Sequence, residues 1–247
     1  MLTDDPKPTS LLPCPGSGED IDSLLDAAPG VRTSDEPPRP LLRGWFHLVG
    51  FAVSLPAGVL VVASASSTRA RVAAVVYAMA VSALFGVSST YHLRVWTAEG
   101  RRRMRRVDHG AIYVMIAGCY TPLCALALRG PTGQGLLVAA WVGAAIGLGF
   151  AMTGLAEKPV FGLACYIGLG WILIGALPDL SRQLSPANFV LLMTGGLAYT
   201  VGGVVLGTNR PNPYPRIFGY HEVWHILVIV ACACHYVAIR SVVQAAG

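Results

Sequence analysis

The stretch GYHEVWHILVIVACACHYVAI, residues 219–239, decides how the chain is to be read. Its first half spells H-E-x-x-H with His221, Glu222 and His225. In a soluble zincin that pattern puts two zinc-binding histidines one helical turn apart, with the glutamate as general base. Here the pattern runs directly into residues with no charge up to Ile239. About 20 apolar residues suffice to cross the hydrocarbon core of a bilayer, so this segment reads as a membrane span that begins with a chelating pair.

The rest of the chain agrees with a membrane protein. Of 247 residues, 54% are hydrophobic and 13% charged, against about 25% charged in a soluble domain. Mean hydropathy is +0.57. Seven stretches are long and apolar enough to span, at roughly 45–65, 72–94, 107–128, 134–155, 160–178, 187–207 and 220–240. The expected fold is therefore an all-α integral membrane protein, a seven-transmembrane helix bundle forming one domain over residues 41–247. Residues 1–40 differ: they hold eight of the 13 acidic residues and eight of the 17 prolines. Too little apolar surface is present there to offset ordering entropy, so an acidic, Pro-rich, disordered cytoplasmic tail is expected. It lacks the basic start and continuous apolar core of a signal peptide.

Lysine and arginine set the expected orientation. With the N-terminus in the cytoplasm and the C-terminus outside, 13 of the 18 basic residues fall on the inner side, led by RRRMRR at 101–106. The positive balance is then a topology signal with room for anionic-lipid contact, and nucleic-acid binding is not expected. Pro56 and Pro122 are expected to kink their spans, and Gly203 and Gly207 form a G-x-x-x-G packing face.

Ionisable groups inside a membrane are costly and mark function by default. The topology puts His92 at the inner end of span two, Asp108 at the inner start of span three, and His221 and His225 at the inner start of span seven. His221 and His225 share a helix face and can chelate one ion. His92 is the expected third ligand of a zinc ion, Asp108 the carboxylate that orients or deprotonates water, and Ser88, four residues before His92, a hydrogen-bonding group beside it. The zincin alternative fails on order. No acid follows His225, and His235 lies about 15 Å further along the same helix. Glu222 points about 100° away from His221, so its match to the zincin motif reads as coincidence. His47 and His109 read as interfacial or structural, with His109 on another face from Asp108, and His235 as packed between helices. The cysteines read as small apolar residues without a disulfide. Trp45, Tyr91, Trp96 and Trp224 suit the membrane interface.

SSTYH (88–92), RVDHGAIYVMIAGCYTP (106–122) and the opening stretch together resemble the hemolysin III family, the bacterial branch of the progestin and adipoQ receptor superfamily. The resemblance covers about residues 41–242. It implies zinc held by His92, His221 and His225, with Asp108 on the water and Ser88 nearby. With its alkaline ceramidase relatives, the family implies a zinc-dependent hydrolase of a lipid amide or ester in the cell membrane, with membrane lipid as partner. A non-catalytic membrane-homeostasis or sensor protein with structural zinc is the alternative. A cytolysin ranks third, because a polytopic chain without a secretion signal makes an awkward toxin.

Overall fold

The computed structural model describes residues 40–128, 130–155 and 159–246. The acidic segment expected to form a disordered cytoplasmic tail lies outside these, apart from Pro40. In chain order the helices are α1 Trp45–Ala63, α2 Thr68–Leu93, α3 Ala98–Pro122, α4 Pro131–Thr153, α5 Pro159–Gly170, α6 Leu177–Gln183, α7 Pro186–Thr208 and α8 Tyr220–Ala245. A π-helical turn, Leu123–Ala127, extends α3, and a 3₁₀ turn, Ile172–Ala176, joins α5 to α6. Among the described residues this gives seven segments long and apolar enough to cross a membrane, with α5, the 3₁₀ turn and α6 together making the fifth.

Local chemistry starts and stops the helices. Ser67, Thr97 and Ser185 are N-caps whose hydroxyls accept from Ala70, Gly100 and Asn188 N–H groups. Pro131 and Pro186 occupy first-turn positions where no N–H is needed. Asn209 closes α7 in the left-handed conformation at φ 54°. Pro122 ends the regular part of α3, and the register widens to π immediately after it.

One boundary departs from expectation. The arginine run was expected in the loop between spans two and three, yet α3 begins at Ala98, so Arg101–Arg106 are helical. Thr97 caps this start, Glu99 sits favourably in the first turn, and Arg103 pairs with Glu99. Polar helix is stable here because it projects past the apolar part of the span. Asp108 therefore stands ten residues, about 15 Å, inside α3.

Packing is close where the sequence supplies small residues. A Cβ on Gly118 would stand 2.3 Å from Ala80 Cβ, so α2 and α3 touch almost backbone to backbone. Gly203 and Gly207 receive the Leu163 side chain of α5, which gives the G-x-x-x-G face its partner. His235 packs over Gly195 with Nε2 3.2 Å from the Leu192 carbonyl, between helices as expected. Large apolar side chains such as Val53, Val59, Met79, Val138 and Val190 point outward, as the lipid-facing surface of a bundle requires.

Candidate metal centre

Three helix ends meet at one end of the bundle. His92 is the penultimate residue of α2, His221 and His225 lie in the first two turns of α8, and His47 is the third residue of α1. One candidate ligand nitrogen from each of His92, His221 and His225 lies within 4.8 Å of the other two. His221 Nε2 and His92 Nε2 are 3.2 Å apart. Two nitrogens bound tetrahedrally to one zinc at about 2.0–2.1 Å would stand about 3.3 Å apart. The spacing therefore fits a shared ion, and also fits a single N–H···N bond between two neutral rings. Among the described residues this is the one group of three or more His, Cys, Asp or Glu side chains that close together.

Asp108 is outside that group. It turns toward Ser88, and both line the cavity that also holds the histidines. Ser88 is buried one turn before His92 on α2. Asp108 thus shares the cavity with the triad without joining it.

The backbone around His92 is shaped to admit it. Gly44 precedes α1 at φ 86°, a region costly for residues with a Cβ. A Cβ there would also come within 2.7 Å of His92 Cβ. Only glycine lets the start of α1 pass this close to the end of α2.

Glu222 is fully buried but does not face the triad. It accepts from Arg43 Nε at 2.5 Å and from the Gly219 N–H at 2.8 Å. The first contact ties α8 to the residues before α1, and the second satisfies an otherwise orphaned donor at the α8 N-terminus. The coincidence argued from helix geometry thus acquires a structural role that the sequence did not reveal.

Three expectations need correction. His47 was read as interfacial, but it is 3% exposed and stacks on His225 at 3.7 Å between centroids with the planes 13° apart. Neither of its ring nitrogens makes a well-aligned hydrogen bond, although the His225 backbone lies beside it. Its depth, equal to that of the triad, was the available signal. His109 was placed on another face, yet it lines the same cavity as Asp108, because the chamber is wide enough to border adjacent positions on α3. Trp224 was assigned to the interface; it packs instead against Gly202 on α7, where glycine leaves room for the indole.

The cavity encloses about 520 Å³, within the range of small-molecule sites. Its polar end holds the histidines, Asp108 and Ser88, and Ile112, Leu163, Ile167 and Trp171 are among its apolar walls. His235 borders it at the far end, about 21 Å along α8 from His221.

Comparison with known proteins identifies the relatives of the chain. The family model described as "Haemolysin-III related" matches residues 36–236. The chain is 31% identical to Hemolysin-3 of Bacillus cereus over 186 residues, 74% of this chain and 82% of that one. It is 30% identical to the Hemolysin-3 homolog of Bacillus subtilis (strain 168), over 77% of this chain and 87% of that one. It is also 27% identical to the human Monocyte to macrophage differentiation factor, over 68% and 69% of the two chains. With the family model covering most of its length and all three helix ends of the histidine cluster, the chain belongs to the haemolysin-III related family of integral membrane proteins.

Proposed function

We propose that this protein is a zinc-dependent hydrolase of a lipid amide or ester. The observation that carries the reading is the junction, in one cavity, of a three-histidine group with Asp108, Ser88 and an apolar chamber. Structural zinc sites usually have four protein ligands, whereas catalytic ones keep a position open. His92, His221 and His225 would hold the ion. When bound, it would supply Lewis-acid polarisation of a carbonyl and a water acidified toward neutrality.

The chain's own residues do the rest. The Asp108 carboxylate takes a proton from the attacking water and returns it to the leaving nitrogen or oxygen. The Ser88 hydroxyl donates toward the oxygen on which negative charge grows, or toward Asp108 to fix its orientation. The apolar wall excludes bulk water and holds the acyl chain, so that the carbonyl stops at the polar layer. Membrane lipid is the natural partner for a cavity within a bundle of this kind. The cell membrane is its place, with the N-terminus cytoplasmic and the C-terminus outside by the distribution of basic residues.

The test is a panel of ceramides, N-acyl amines and acyl esters incubated with purified protein, with and without chelator. Chelator-sensitive release of fatty acid supports the reading. Metal-loaded protein that leaves the whole panel intact, with a fourth protein ligand closing the site, would leave the membrane-homeostasis or sensor role in its place.

A further inference from the structure

His47 sits at the depth of the triad and takes no part in the chemistry above. It is the third residue of α1 and is 3% exposed. Its ring lies flat on that of His225, with centroids 3.7 Å apart and planes 13° apart. The His225 backbone lies beside the same ring. Phe85 of α2 meets it edge-on, at 5.1 Å and 69°. Gly50, one turn on from His47, makes room for Phe85: a Cβ there would stand 3.1 Å from Phe85 Cδ1. His47 is thus wedged among side chains of α2 and α8.

This geometry excludes one role and leaves another. The nitrogen lone pairs of an imidazole lie in the ring plane, so an ion bound by His225 lies in the plane of that ring, about 2.0–2.1 Å from the nitrogen. The His47 plane is stacked nearly parallel to it. An in-plane lone pair of His47 therefore passes over the ion instead of meeting it. His47 is accordingly absent from the group whose ligand atoms converge. What remains is orientation. A metal-bound histidine usually takes its orientation from a hydrogen bond at its second nitrogen. Nδ1 of His225 is buried without such a partner, and so are both ring nitrogens of His47. The His225 ring is held by a flat face, not by a polar contact.

We infer that His47 is a positioning residue for the metal centre. Its ring fixes the plane of His225, the most buried of the three ligands, so that one His225 nitrogen faces His92 and His221 while the fourth coordination position stays free. The requirement at position 47 is for a flat aromatic ring, not for its nitrogens. This inference rests on the zinc reading above and adds to it the group that orients a ligand.

The experiment reads metal binding and its spectrum without turnover. Full-length wild type, H47F, H47L and H47Q are purified in detergent, checked by thermal unfolding, and titrated with zinc and with cobalt(II) against a competing chelator. H47F keeps a flat ring without nitrogens, H47Q keeps a nitrogen without the ring, and H47L has neither. H47F should bind zinc within about threefold of wild type. H47L and H47Q should bind it about tenfold or more weakly, the usual effect of removing a group that orients a ligand. The visible cobalt(II) band should keep its wild-type shape in H47F and shift or broaden in the other two, which a loss of stability alone would not cause. Azide should shift the band of the wild-type cobalt protein, because an open position admits it. Should H47F fail to fold, H47Q decides: wild-type zinc affinity and an unchanged cobalt band in H47Q overturn the inference. A folded H47F that loses the metal as H47L does overturns it as well. A wild-type band that ignores azide and changes alike in all three variants also overturns it, and makes His47 a fourth ligand. Absence of lipid cleavage with the ring requirement intact would sink the hydrolase and leave the positioning role standing. Cleavage with equal zinc affinity in every variant would do the reverse.

Discussion

The Glu222→Gln substitution separates the two chemistries that H-E-x-x-H can encode. Glu222 is 0% exposed, and its carboxylate meets Arg43, whose side chain is 18% exposed, at 2.5 Å. It also accepts from the Gly219 N–H at 2.8 Å. Glutamine keeps the shape and one acceptor oxygen, so the bond to Gly219 survives. The charge-assisted bond to Arg43 is what weakens. Such bonds contribute about 1.5–3 kcal/mol, so E222Q should destabilise the protein by about 2 kcal/mol. Glu222→Ala additionally orphans the Gly219 N–H and leaves a void, and should cost about 3–5 kcal/mol. Thermal unfolding in detergent measures both, with Arg43→Gln and the double variant completing a cycle whose coupling isolates the pair. At a temperature where each variant is folded, bound zinc should remain about one per chain, because no ligand nitrogen has moved. Chelator-sensitive lipid hydrolysis should likewise persist. An E222Q protein with unchanged stability and intact zinc but no turnover would refute the reasoning and restore the glutamate as general base.

Four further outcomes are expected. His92→Ala, His221→Ala and His225→Ala should each lose most of the bound zinc by metal analysis of folded protein, since two remaining nitrogens no longer fill a three-ligand site. Asp108→Asn should retain zinc and lipid binding but lose hydrolysis by about a hundredfold or more, the usual contribution of a general base; unchanged turnover would remove Asp108 from the mechanism. Gly44→Ala should destabilise by about 1–3 kcal/mol, from a φ of 86° and a Cβ 2.7 Å from His92 Cβ, and should weaken zinc retention. A cysteine placed at Arg103 should resist impermeant reagents in intact cells and react after lysis; labelling from outside would reverse the proposed orientation.

The number of spans and their order were legible because twenty-residue apolar runs separated by short polar links leave few alternatives. The start of α3 was not. Hydropathy marks where lipid begins, whereas the helix starts at its cap, Thr97, three turns earlier. Grouping His92 with His221 and His225 needed only depth and an i,i+4 repeat, and the structure brings those three together. His47 shares their depth, but its azimuth follows from how α1 packs on α2 and α8, which one sequence does not fix. Arg43 was hidden for a similar reason: it lies in the turn before α1, 179 residues from the glutamate it holds. The cavity was illegible too, since its lining is drawn from α1, α2, α3, α5, α7 and α8 together rather than from any one motif.

The resemblance to a zincin motif can itself be explained from the first turns of α8. Gly219 is the N-cap, which makes Tyr220, His221 and Glu222 the first three helical residues. The third helical position is where a glutamate can reach back to the N-cap N–H, and Glu222 does so. A chelating pair on the same helix requires two histidines four residues apart. Placing that pair in the first two turns, at the depth of His92, fixes the histidines at the second and sixth positions. A histidine at the second position followed by a capping glutamate at the third reads H-E, and the second histidine completes H-E-x-x-H. Two independent demands, one on the helix end and one on the histidine group, therefore suffice to write the motif, and no catalytic role for the glutamate is needed to account for it. The same logic explains why Glu222 tolerates complete burial. Its two partners, a guanidinium and an N–H at the start of the helix, take up one carboxylate oxygen each.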